Sequence, residues 1–245
     1  MPRIPVVMRI LSANLYAGRA EPKAFGSILD EISPDVVCVQ ELDPENAAVL
    51  ADRFPHVDLE PRDDVHGAGI AARVPFEAGI VPTPFRRART ATLRWEEAAI
   101  EVVGVHLANP VDPPWGQTAA VRRAQVAGIL EHVAAVSRCV VVGDFNATPR
   151  WAAYRAFAEE LVDLVVEAGV RPPATWGYRH ALPRILRIDH AFGKGVRCTA
   201  ARTLRLPRSD HDALVVDVVV DRRGPGHPSG RTSSTSVDPQ VRQRR

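Results

Sequence analysis

The stretch VVVGDFNATPR, residues 140–150, carries the reading of the chain. Three valines and a glycine have the apolar, β-branched character of a strand buried on both faces. The run then stops on Asp144, Phe145 and Asn146, an acid and an amide two residues apart. Alternate residues of a strand point the same way, so continued extended geometry would turn Asp144 and Asn146 to one side and Phe145 into the core. Thr148-Pro149 then supplies an N-cap and an N1 proline, which predicts a helix from there to about Glu160.

Outward from this stretch, apolar runs and helical patterns interleave. Strands are predicted at Val6–Ala13, Asp35–Gln40, Gly69–Ala72, Arg89–Trp95, Ala99–Val105, Arg138–Gly143, Ile188–Phe192 and Leu214–Val220. Helical spacing covers Glu21–Ile32, ending at Ser33-Pro34, and Gln117–Val136. Asp43-Pro44 opens a short helix through Arg53. Short strands with a few helices, not in strict alternation, imply an α+β or layered architecture rather than a doubly wound sheet. Residues 1–221 contain no repeat or interior linker and read as one domain. Residues 222–245, RRGPGHPSGRTSSTSVDPQVRQRR, have almost nothing to bury and are expected to form a disordered basic tail.

At 46% hydrophobic and 24% charged residues, the 245-residue chain has the composition of a globular protein with a sizeable core. It has no apolar run of the roughly 18 residues a membrane span needs, and no signal-peptide pattern at its start. A cytoplasmic protein is therefore expected. Cys38, Cys139 and Cys198 stand singly in or beside apolar runs. This fits packing and argues against a disulfide or zinc site. The tail has six Arg and one Asp. Removing that surplus of five from the formal net charge of +2 leaves residues 1–221 at −3, without the positive field of a non-specific nucleic-acid binder.

The chemistry sits where polar residues interrupt strands at their ends. Asn14 ends the first strand, Glu41 follows VVCVQ, and His106 follows VVGV. Asp144 and Asn146 follow VVVG, Asp189 begins a strand, and Asp210-His211 precede ALVVDVVV. Each alone has a plain account, such as turn formation by Asp or Asn or a histidine satisfied locally. Together they supply six strand ends able to share one rim of a sheet assembly, where folds place sites. Oxygen donors (Asn14, Glu41, Asp144, Asn146, Asp210) without cysteine suit a hard cation such as Mg²⁺ or Mn²⁺. Histidines beside carboxylates suit proton transfer near neutral pH. Two of them flanking a phosphorus centre would complete a phosphoester-cleaving site. No GxSxG elbow or Walker A loop is present.

At these residues the chain resembles the endonuclease/exonuclease/phosphatase superfamily. SANLYAG, VVCVQEL, GVHL, VVVGDFNATP, RIDHAF and SDHDALVV occur in the family's order across roughly residues 7–221. The resemblance implies a DNase I-like, four-layered α/β/β/α sandwich, two packed mixed β-sheets flanked by helices, with the site at its rim. It also implies Glu41 as the principal metal ligand, supported by Asn14, with Asp210 as a further ligand. It has Asp144 orient or deprotonate the attacking water, Asn146 hold the phosphate, and His211 meet the phosphate or pass a proton, oriented by Asp189. His106 resembles the histidine of the DNase I and sphingomyelinase branches. Tyr16 stands where some branches carry an acid, and Ala72 replaces a serine in the GAGIAAR strand. The carboxylate partner of His106 is not legible; Asp63 and Asp64 read as turn residues.

The expected activity is Mg²⁺- or Mn²⁺-dependent phosphoester hydrolysis by a monomer. The substrate is left open between nucleic acid, phospholipid head group and inositol phosphate. The alternatives are a DNase-like endonuclease within the class, and a non-catalytic binding module that keeps the fold. Arg86, Arg87 and Arg89 are read as a solvated strand edge or as phosphate contacts. Trp115 and Trp151 are read as core caps, or as stacking or lipid contacts. Pro110, Pro113 and Pro114 would stiffen the loop after His106.

Overall fold

The computed structural model describes residues 6–111 and 115–220, with side chains of the second segment from 117 onward. The predicted tail, Pro113, Pro114 and the side chain of Trp115 lie outside the described residues. The elements in chain order are β1 (Met8–Asn14), α1 (Pro22–Ile32), β2 (Val36–Gln40), α2 (Pro44–Ala51), β3 (His56–Glu60), β4 (Ala68–Ala72), β5 (Phe76–Val81) and β6 (Ala88–Trp95). There follow β7 (Ala98–His106), α3 (Trp115–Ala134), β8 (Cys139–Asp144), α4 (Ala152–Glu160), β9 (Val162–Asp163), α5 (Leu164–Glu167), β10 (Asp189–Lys194), β11 (Val196–Arg205) and β12 (Asp212–Val220). They form two six-stranded mixed sheets, ordered β11-β12-β1-β2-β4-β3 and β5-β6-β7-β8-β10-β9.

Strand parity sorts the side chains into three cores. Ile10, Val36 and Cys38 meet Val102, Val140 and Val142 between the sheets. Leu11, Val37 and Val39 turn the other way, onto Phe25 and Leu29 of α1 and Leu50 of α2. Val103 and Val141 turn onto Ile129 of α3 and Phe157 of α4. This explains the continuous apolar runs of β2 and β8, whose two faces are both covered. A one-residue slip would exchange the contents of two cores, so register is tightly specified. The result is the expected helix–sheet–sheet–helix layering.

Local signals place the first two helices. Asp43 accepts hydrogen bonds from the backbone N–H groups of Glu45 and Asn46, with Pro44 at the first helical position. α1 starts on Pro22 and closes on Ser33 in the left-handed conformation. The signal at Thr148-Pro149 misleads. The Trp151 N–H donates to the Thr148 carbonyl at 2.9 Å, and the helix begins only at Ala152, with Trp151 extended before it. Proline's fixed φ suits the second position of a β-turn as well as a helix start, and here the turn forms. β3, β5, β9, β11 and α5 were not predicted. The three cysteines are buried and free. Among the described residues no helix is long and apolar enough to cross a membrane.

Candidate active site

Strand direction gathers the polar ends at one rim. β1 and β2 run parallel, with Asn14 level with Gln40. β7 and β8 run parallel, with His106 level with Asp144. β10 is antiparallel to β8, so its first residue, Asp189, lies opposite Asp144. β12 is antiparallel to β1 and brings His211, just before it, to the Asn14 end. Each sheet thus delivers three strand ends to the same edge. Gly143 allows this closeness. Its φ is +150°, and a Cβ there would sit 2.0 Å from the Val105 carbonyl oxygen.

All eight residues singled out from the sequence come together. Asn14 bridges the sheets, donating from Nδ2 to Asp144 Oδ2 at 3.1 Å and to Glu41 Oε1 at 3.4 Å, while its Oδ1 accepts from the Tyr16 N–H. His106 Nε2 lies 3.5 Å from Asp144 Oδ2 and 3.8 Å from Glu41 Oε1. His211 Nδ1 lies 2.9 Å from Asp189 Oδ2, and its Nε2 faces Asp144 Oδ2 at 3.8 Å. Asp64 takes no part. It pairs with Arg62 and accepts from the His66 N–H. The carboxylates facing His106 are Glu41 and Asp144.

Asn146 reaches the site by a different route from strand alternation. Its φ is +46°, so extended geometry ends at Asp144. Its N–H donates to Asp144 Oδ1 at 2.8 Å, and its Nδ2 donates to the Leu107 carbonyl and to Asp144 Oδ2. This is an Asx-type turn that folds the amide back beside the acid. Phe145 is fully buried, as expected. Glu41 is left-handed too, at φ +54°. Two non-glycine residues in this conformation at one rim are a local strain of the kind that collects at functional sites.

Burial sets the protonation states apart. It pushes the Asp144 carboxyl up to about 7, against the opposing pull of His211, and it raises Glu41 as well. His106 is held well below the usual histidine value by burial, with Arg86 and His211 adding repulsion. Burial opposes charge on His211 too. There the Asp189 and Asp144 carboxylates, with the Asp189 hydrogen bond, outweigh it and raise His211 to about 10. At neutral pH His106 is neutral and His211 is charged. Two like groups driven apart in this way are suited to different proton-handling roles.

The donor set fits a hard cation. Glu41, Asp144 and Asp210 crowd acidic oxygens into a mostly buried cleft floor, and Asp210 Oδ1 is buried without a hydrogen-bond partner. Several acidic oxygens crowded at one point, one of them without a hydrogen bond, favour a bound cation. Oxygens of Asp144 and Asp189 and a nitrogen of His211 also lie within 4.8 Å of one another. That second grouping is the weaker one. Asp189 already accepts from His211, and a charged imidazole has both nitrogens protonated and no lone pair for a metal.

Several supporting residues gave no clear sequence signal. Trp176 donates from Nε1 to Asp210 Oδ2 at 3.0 Å. Ser209 Oγ donates to the Asn14 carbonyl and accepts from the His211 N–H. Arg122 of α3 is buried and donates to the carbonyls of Ala108, Phe145 and Asn146, tying the loop after β7 to the loop after β8. Only its position on the inward face of a helix hinted at this. The arginine run splits. Arg86 lines the cleft and donates to the Leu107 carbonyl, whereas Arg89 pairs with Asp58 and Glu60 of β3 and ties the two sheets together. Trp151 is 41% exposed and lines the cleft instead of capping the core.

The cleft holds about 480 Å³. Charged and polar groups form its floor, and Val111, Trp151, Tyr178 and Ile185, all exposed, form an apolar rim. A groove of about 560 Å³ between α3 and α4 adjoins it through Pro110 and Trp151. Among the described residues that groove has no acid or imidazole in its lining, so the cleft is the candidate site. The sequence matches the Endonuclease/Exonuclease/phosphatase family over residues 11–211, a range that contains all eight candidate residues. The chain belongs to this family. Three solved structures carry the family's fold at low identity. They are Danio rerio TDP2 complexed with a single-strand DNA product, the Neisseria 3′ phosphatase NExo bound to a product DNA hairpin, and an endonuclease/exonuclease/phosphatase from Beutenbergia cavernae. Their identities are 18%, 20% and 19%, with TM-scores of 0.70, 0.67 and 0.70 in the same order. The matches cover 86%, 85% and 87% of this chain, and 98%, 98% and 72% of the respective structures. No curated protein matches the sequence.

Proposed function

We propose that this family member hydrolyses phosphoesters with a bound Mg²⁺ or Mn²⁺. The observation that carries the reading is the convergence of two histidines on one carboxylate oxygen: His106 Nε2 and His211 Nε2 lie 3.5 and 3.8 Å from Asp144 Oδ2, over a floor of carboxylates. Glu41 would hold the cation together with Asp210, while Asn14 fixes the angle between Glu41 and Asp144. When bound, the cation neutralises charge on the phosphoryl and leaving oxygens. Asp144, with a pKa near neutrality, accepts the proton of the attacking water. His211, held charged by Asp189, donates from Nε2 to a phosphate oxygen. Asn146 offers its amide to the same phosphate. His106 orients water beside Asp144.

DNA-bound TDP2 and NExo support a nucleic-acid phosphoester, whereas the acidic charge of residues 1–221 supports a smaller one. A panel of DNA, phospholipid and inositol-phosphate substrates, each run with Mg²⁺ or Mn²⁺, separates these. Asp144→Ala and His211→Ala should abolish cleavage of bis(p-nitrophenyl) phosphate. Activity retained in both would overturn the mechanism. A non-catalytic binding module is less favoured, because every group the chemistry needs is present and within reach of the others.

A further inference from the structure

Beside the catalytic cleft lies a smaller, basic pocket of about 280 Å³, lined by Tyr16, Arg19, Arg179, His180 and Arg208. Its walls come from three loops with firm local reasons for their shape. Tyr16, Ala17 and Gly18 are consecutive left-handed residues after β1, at φ +53°, +47° and +76°. That turn brings the Arg19 guanidinium over the Tyr16 ring, 4.5 Å from its centroid. Arg208 is left-handed as well, at φ +66°, and stands two residues before Asp210 and three before His211. The Arg179-His180 loop is pinned from behind by Arg205, which donates to the carbonyls of His180 and Leu182.

Three arginines therefore line one concavity. Arg9, Arg89, Arg184 and Arg187 each have a carboxylate partner. None of the ion pairs among the described residues engages Arg19, Arg179 or Arg208. Gathering like charges without a counter-ion is unfavourable. An anion in the pocket relieves it, and arginine is the side chain best matched to phosphate. Tyr16 lines both this pocket and the catalytic cleft, so the two adjoin at this residue.

We infer that this pocket is a subsite for a second phosphate of the substrate, joined across Tyr16 to the phosphoester in the catalytic cleft. The assignment rests on the phosphoester-hydrolase reading for what the neighbouring cleft does, but not for the binding itself. A nucleotide unit with phosphates on both sides of its sugar and a polyol carrying two phosphates present the same chemistry.

Calorimetric titration of the full chain without metal tests the subsite, with adenosine 3′,5′-bisphosphate against adenosine 5′-monophosphate and inositol 1,4-bisphosphate against inositol 1-phosphate. At least one bisphosphate should bind at least about tenfold more tightly than its monophosphate, a gain of about 1.4 kcal/mol. Whichever pair shows the gain identifies the source. The triple variant Arg19→Gln, Arg179→Gln, Arg208→Gln should lose that advantage while monophosphate affinity stays unchanged. The single variants give the same reading in steps should the triple variant fold poorly by circular dichroism. No advantage for either bisphosphate, or an advantage that survives the substitutions, overturns the subsite. Bis(p-nitrophenyl) phosphate, which has one phosphate, should be turned over equally by wild type and triple variant with Mg²⁺. Wild-type protein that binds a bisphosphate as expected but leaves that ester intact would defeat the hydrolase reading and leave the subsite standing.

Discussion

His211 Nδ1 lies 2.9 Å from Asp189 Oδ2, and Asp189 is the leading group holding that buried imidazole in its charged form. The Ile188 and Asp189 N–H groups both donate to Thr175 Oγ1, so the carboxylate stands on a fixed backbone. Asp189→Asn keeps the shape and removes the charge. The His211 pKa should then fall, and the alkaline limb of the rate profile should move to lower pH. At pH 8 kcat should drop on the order of 10²-fold, the usual size of a proton-handling contribution. The check is a pH–rate profile of both proteins. An unmoved alkaline limb would show that charge on His211 is not needed.

The two groupings of possible metal ligands make opposite predictions. With Glu41 as principal ligand, Mg²⁺ or Mn²⁺ should raise the melting temperature of the wild type and fail to do so for Glu41→Gln. A ligand at one hundred times its Kd adds about 2.7 kcal/mol, which is easily read in a melt. Asp189→Asn should keep the metal-induced shift. The reverse pattern would move the ion to the Asp144, Asp189 and His211 grouping.

Arg122 joins the two loops that follow His106 and Asp144, donating to carbonyls at Ala108, Phe145 and Asn146. Burial lowers its pKa, opposed by the nearby Asp144 charge, so the side chain is held against a desolvation cost. Arg122→Lys keeps a charge but cannot span three acceptors. Each buried carbonyl left unpaired costs about 1–3 kcal/mol, and the loss should appear in urea unfolding. kcat should fall more than KM rises, because the loops set the catalytic geometry. An unchanged kcat would limit Arg122 to stability.

Much of this site could be read from strand ends. Glu41, His106, Asp144 and Asp189 each sit where an apolar run stops or starts, and the pleat's parity then dictates their neighbours. Asn146 shows the limit of that logic. Its partnership with Asp144 was legible, but the left-handed turn that makes it was not, since an Asn after an Asp fits both geometries. Thr148-Pro149 fits a helix start and a β-turn equally, and the choice lies in contacts beyond the dipeptide. β3 and β11 escaped because edge strands such as HVDLE and VRCTAARTLR carry charges and expose one side, which blurs the apolar signal. Trp176 and Arg122 act through atoms distant in sequence, Asp210 and three loop carbonyls, and no local pattern marks such reach.

His190, next to Asp189, turns away from the cleft and predicts a pH dependence of stability. It is fully buried, its Nε2 is 2.7 Å from the Ala147 carbonyl, and its ring packs edge-on against Phe145 and tilted beside Tyr154. Burial, with Arg187 nearby, lowers its pKa to about 4 from an ordinary 6.5. The folded state therefore resists a proton that the unfolded chain accepts. The stability that this neutral ring contributes is fully present above pH 6.5 and is lost as pH falls toward 4. A difference of this size amounts to about 3 kcal/mol. His190→Phe should flatten the fall in unfolding free energy between pH 6.5 and 4. At pH 8 it should cost about 1 kcal/mol for the lost hydrogen bond to Ala147. That carbonyl follows Asn146 directly, so the variant should also loosen the turn, lowering kcat while leaving the alkaline limb set by His211 in place. Urea unfolding across this pH range decides the matter: an acid slope as steep in the variant as in the wild type would assign the loss to other groups.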